Sequence, residues 1–168
     1  MAIRKLHDGD EQDELFDIDQ FKGFRESDEV ASVAARLMVE HRGHFGRLRD
    51  FEIRYATLVG RKPKPDSELD TLAKFVKVPP LYRDLFGCDA IVWVNQTLWD
   101  ALNEQQRSAC VAHELCHGDV DDNGNLTVRK HDVSEFTWIV RKYGAWLPDL
   151  RQFAEQMALF EAPAEAAS

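Results

Sequence analysis

No run of eighteen apolar residues occurs in the 168-residue sequence, so no stretch of it is long enough to cross a bilayer as a helix. The first twenty residues, MAIRKLHDGDEQDELFDIDQ, lack the apolar core and small-residue cleavage site of a secretory signal. The expectation is a protein that stays in the cytoplasm. Cysteine is scarce: Cys88, Cys110 and Cys116 form an odd set with no C-x-x-C pair. That argues against a disulfide framework and fits a reducing compartment. Internal repeats are missing, and low-complexity sequence is confined to the termini.

Positive charge is also in deficit, with 21 Lys and Arg against 30 Asp and Glu, a net charge of −9. Neutralising phosphates needs clustered cations, so a general nucleic-acid binder is disfavoured. The deficit is uneven, however. Residues 1–29 carry ten acids and four bases, whereas residues 41–87 carry ten bases and six acids. A solvated surface of mixed charge is the plainer account of the basic stretch, although it leaves room for a local nucleic-acid contact.

What is present fits one soluble domain, long enough to bury a core. We expect an acidic, loosely ordered N-terminus over 1–20, a single domain over 21–160 and a flexible tail over 161–168. "SDEVASVAARLMVEHRG" opens on a capping serine and places Val30, Val33, Ala34, Leu37 and Met38 at helical spacing. "FEIRYATLV" (51–59) and "CDAIVWVNQ" (88–96) read as strands, and "GRKPKPDSE" between them as a loop. "TLAKFVKVPPLYRDLFG" is ambiguous: a short helix or strand halted by Pro79-Pro80, then a helical turn. Asn103 with Gln106 resembles a capping box and Gly118 a stop, giving a helix over 104–117. Asn123-Gly124 marks a turn between two short strands. A last long helix is expected from about Asp132 to Tyr143, with a further short one near 148–160. The fold class is α+β, a small mixed sheet packed against one functional helix and flanking helices.

That helix carries the chemistry. His113 and His117 are four residues apart, one turn of helix, so both imidazoles can grip one ion. Glu114 completes H-E-x-x-H, the pattern in which the glutamate stays off the metal and serves as general base beside its water. A hydrolytic zinc needs a third protein ligand and an open fourth position. His131 and Glu135, in "HDVSEF", both lie at usable distances. Imidazole is the better match, and Glu135 then becomes an acceptor behind a ligand or steers water; with Glu135 as ligand, His131 would face the substrate. The metzincin extension is excluded, because Val120 and Asn123 occupy its glycine and histidine positions. Cys116 points about one hundred degrees around the helix from His117, away from the ion. "DVDDNGNLTVRK" begins like a calcium loop, but its twelfth position is Lys130 where a glutamate is needed. His41 and His44 read as a helix end and loop, and His7 carries no argument. The competing account treats all these histidines as ordinary surface residues.

"QQRSACVAHELCHG" followed by "KHDVSEFTWIVRKYG" resembles the phage metallopeptidases and, more distantly, the SprT-type zinc proteases. The resemblance covers roughly residues 27 to 147. It carries over to His113, His117 and His131 as zinc ligands, preferring His131 to Glu135, and to Glu114 as the catalytic base. It implies a zincin-like domain, Zn2+ as cofactor, a protein or peptide substrate, and a phage or prophage origin, hence a bacterial host's cytoplasm. The zinc-ribbon cysteine pairs that accompany DNA binding in SprT-type relatives are missing. Another class stays open: an acidic phage protein that occupies a host factor, with a structural or inactive zinc site.

Overall fold

The structure, a computed structural model, describes residues 22–60, 72–131 and 135–147. The acidic N-terminus, the loop beyond Gly60, residues 132–134, the helix expected near 148–160 and the tail lie outside those residues.

Two sheets and six helices form a mixed α+β fold among the described residues. The chain runs β1 (Gly23–Glu26), α1 (Asp28–Glu40), α2 (Arg42–Phe45), a 3-10 turn (Gly46–Asp50) and β2 (Ile53–Val59). It continues through β3 (Ala73–Lys77), α3 (Pro80–Phe86), β4 (Ala90–Asn95), α4 (Gln96–Asp100) and α5 (Glu104–His117). A hairpin of β5 (Gly118–Val120) and β6 (Leu126–Val128) then leads to α6 (Thr137–Tyr143).

The main sheet has the order β1-β2-β4-β3; β2 and β4 are parallel, and the two outer strands run antiparallel to their neighbours. Strand β4 is apolar on both faces, as an interior strand must be. Its Ala90, Val92 and Val94 are buried toward the helices, while Trp93 turns the other way and meets Phe24 edge-on at 5.5 Å. The ambiguous segment resolves by its prolines. Ala73–Lys77 pairs with β4, Val78 and Pro79 leave the sheet, and Pro80 starts α3 at a position where a missing N–H costs nothing.

Helix α5 is the centre of the molecule. Asn103 and Gln106 form the expected capping box: Asn103 Oδ1 accepts from the Gln106 N–H at 2.9 Å, and Gln106 Oε1 from the Asn103 N–H at 3.0 Å. Every residue from Ser108 to Cys116 is buried, including His113 and Glu114. A helix covered on all sides is held rigidly, because any tilt would open gaps in a close-packed interior. Helix α1 lies against it through Val30, Ala34 and Leu37, and Arg36 Nη2 donates to Ser108 Oγ at 2.8 Å.

Gly118 stops α5 for a reason different from the expected one. It has no left-handed backbone (φ −74, ψ 126) and passes directly into β5. A Cβ there would stand 2.9 Å from Leu48 Cδ2 and 3.1 Å from Phe75 Cζ, so a larger residue would have to push those buried side-chain tips aside. The Asn123-Gly124 turn does join β5 and β6, with Gly124 at φ +80. The Asp121 carboxylate is consumed inside it by the Asn123 and Asn125 N–H groups, at 2.9 and 2.8 Å. No helix among the described residues is long and apolar enough to cross a membrane.

Candidate metal centre

The hairpin after α5 folds back so that its far end runs beside the last turn of the helix. Arg129 N–H donates to the His117 carbonyl at 2.7 Å, and His117 Nδ1 meets the Arg129 carbonyl at 2.8 Å. This reciprocal pair pins the chain two residues before His131 and delivers that side chain to the face that carries His113 and His117. His131 belongs to a stretch without regular secondary structure after β6. Residues 132–134 lie outside the described ones, and the next described helix starts at Thr137, so His131 is carried by the strap that follows β6. Backbone pairing aims it.

The three imidazoles converge through one kind of atom. His131 Nε2 lies 3.1 Å from His113 Nε2 and 3.1 Å from His117 Nε2, and the candidate donor atoms all fall within 4.8 Å of one another. His113 is buried; the other two are half-buried. Tautomers decide what this cluster can hold. A carbonyl only accepts, so the proton of neutral His117 sits on Nδ1 and its Nε2 presents a lone pair. His113 Nδ1 meets Glu135 Oε1, which fixes its proton on the same side. A single proton on His131 Nε2 could satisfy only one of two facing lone pairs. A cation at the centre satisfies all three. Three nitrogens of a tetrahedral site with bonds of about 2.0–2.1 Å stand ~3.3 Å apart, close to the spacing found. All-imidazole donors suit zinc, copper, nickel or iron better than calcium or magnesium. The residues therefore fit a metal.

Glu135 stands behind the cluster. Fully buried, it accepts from its neighbour's N–H (Phe136 N, 2.7 Å) and from the Trp146 indole (Nε1 to Oε2, 3.4 Å) while facing His113 Nδ1. It thus contacts the nitrogen of His113 that points away from the other two rings. Carboxylates in this position orient a ligating histidine and raise its basicity. Replacing Glu135 by glutamine should weaken metal affinity about 10–100-fold, measured by competition with a chromophoric chelator, with the fold intact by circular dichroism. Unchanged affinity would detach Glu135 from the centre.

Glu114 takes another direction. Its carboxylate accepts the Phe75 N–H of edge strand β3, and it is 4% exposed. Burial pushes its pKa up to about 7, against the opposing pull of His113, the Phe75 N–H and Lys74, with Glu135 adding to the rise. Burial likewise holds His117 below the ordinary imidazole value, the Arg129 carbonyl acting in the opposite sense. Cys116 is buried on the far side of α5, its Sγ 3.4 Å from His44 Nε2, and takes no place among the clustered donors.

Sequence reasoning named the three histidines that the structure clusters and left Glu135 open, but it missed what surrounds them. The Phe136 ring is fully buried and touches all three imidazoles edge-on, with centroids at 5.4 Å (His113), 4.8 Å (His117) and 5.0 Å (His131). Its only signal was its position after Glu135. Trp146 and the Arg129 carbonyl left no local signal at all. A family model described as "Putative phage metallopeptidase" matches residues 22–158. No curated protein and no solved structure gave a match.

Proposed function

The chain belongs to the phage metallopeptidase family, and from that premise we propose that it hydrolyses peptide bonds with zinc held by His113, His117 and His131 and with Glu114 as general base. The observation that carries this reading is the convergence of three Nε2 atoms, with the opposite ring nitrogen of His117 facing a carbonyl and that of His113 a carboxylate. Zinc held by these residues would supply Lewis acidity toward the scissile carbonyl and toward water. Glu114, one residue along the helix from His113, would take a proton from the attacking water and pass it to the leaving amine. The Phe75 N–H holds the carboxylate against β3 and limits the orientations from which it can act. Phe136 and the buried side of α5 keep bulk water away from the ligating rings.

On this reading the domain is zincin-like, with an edge strand lying beside the metal-bearing helix. The free state of Cys88, Cys110 and Cys116, all buried, suits the reducing cytoplasm of an infected bacterium. Protein purified without added metal should carry about one equivalent of zinc, and hydrolysis of fluorescently labelled casein should stop with a chelator and return with zinc. Zinc-free protein, or cleavage indifferent to chelation, would overturn the proposal.

A further inference from the structure

One phenyl ring away from the three imidazoles stands a guanidinium that no acid among the described residues balances. Arg129 Cζ lies 4.8 Å from the centroid of Phe136, the ring that touches His113, His117 and His131. Those distances place the guanidinium carbon within about 10 Å of each imidazole centre. Stacking on an aromatic face explains how the group is oriented. It does not supply an acceptor for the N–H donors. Nε is buried and has no hydrogen-bond partner, and no carboxylate among the described residues pairs with the guanidinium.

The acids at the centre are engaged elsewhere. Glu135 faces His113 and accepts from Phe136 and Trp146, and Glu114 is held by the Phe75 N–H. A half-buried cation with an orphaned donor is costly unless something brings it an acceptor. Lys74 on β3 is close enough to Glu114 to favour its charged form. The planar fork of an arginine matches a carboxylate through two parallel hydrogen bonds. We propose that Arg129 binds a carboxylate of the peptide substrate near the scissile bond and so makes the enzyme selective for acidic peptides.

This inference rests on the peptidase reading, and the experiment separates the two. A peptide that zinc-loaded wild type releases from denatured casein is resynthesised with Glu or Gln beside the scissile bond, each with a free or amidated C-terminus. Wild type, Arg129→Ala and Arg129→Lys are compared on all four forms. Loss of the recognised carboxylate should lower wild-type kcat/KM about 10- to 100-fold, chiefly through KM. Arg129→Ala should lose as much on the carboxylate form and far less on the neutral one, with partial recovery in Arg129→Lys. Whether the Gln exchange or the amide causes the loss identifies a side-chain or a terminal carboxylate as the group read. An equal fall on all four forms would make Arg129 a structural residue. Wild-type cleavage blind to both carboxylates would overturn the assignment and leave the peptidase reading standing. No zinc-dependent cleavage at all would sink the peptidase reading, and this inference with it.

Discussion

Glu114→Gln should retain about one equivalent of zinc while kcat falls by about 10²- to 10⁴-fold, the range expected when a positioned general base is removed. The carboxamide has nearly the same shape as the carboxylate, and its oxygen can still accept the Phe75 N–H that anchors Glu114 to β3. The helix has no reason to move: Glu114 sits in the middle of the buried run from Ser108 to Cys116, with all its backbone neighbours unchanged. The three Nε2 atoms belong to other side chains, so metal content should be insensitive to this substitution. What the variant lacks is a group able to take a proton. Zinc analysis and single-turnover hydrolysis on the same preparation decide the matter. Undiminished turnover would remove Glu114 from the chemistry, and a parallel loss of zinc would make it part of the metal's coordination.

The contrast between these two roles shows which parts of the molecule the sequence could disclose. The span of α5 was legible to the residue, because its start is a local device, Asn103 with Gln106, and its end is a glycine. The pair His113 and His117 was legible because helical spacing alone puts them on one face. The strand pairing was not. Nothing in Gly23–Glu26, mostly exposed and four residues long, announces that it will flank β2. Pro79 and Pro80 marked where β3 ends, but whether it was helix or strand stayed open until β4 offered it a partner.

Around the centre the limit was long-range pairing. In the sequence His131 and Glu135 both lie at usable distances after His117, so both looked like contenders for the same coordination position. His131 and Glu135 lie outside any helix in the structure, so the two reach opposite nitrogens of His113. The bond between His117 and the Arg129 carbonyl that sets this geometry spans twelve residues, and the one between Trp146 and Glu135 spans eleven. Neither depends on residue type in a way a pattern records, since any residue at 129 offers a carbonyl.

His131→Ala should uncouple stability from zinc. In wild type the ion would join the end of α5 to the strap after β6, and binding to the native state alone adds stability by mass action. At a free zinc concentration 100-fold above Kd the gain is about 2.7 kcal/mol. For a chain of this size each kcal/mol moves Tm by roughly 2–4 °C, so chelation should lower the wild-type Tm by about 5–10 °C. His131 is the informative ligand to remove. Substituting His117 would also sacrifice its bond to the Arg129 carbonyl, and substituting His113 would leave the fully buried Glu135 facing a void, so both would destabilise the chain without any metal. His131 is half-buried at the end of the hairpin, and the backbone pair between Arg129 and His117 survives its loss. Its variant should therefore melt near the chelated wild type whether zinc is present or not. Calorimetry of both proteins with zinc and with chelator reads the difference directly. A variant that still gains the full wild-type increment from zinc would mean that two histidines of α5 suffice, and that the strap carries His131 to the cluster for some purpose other than binding the ion.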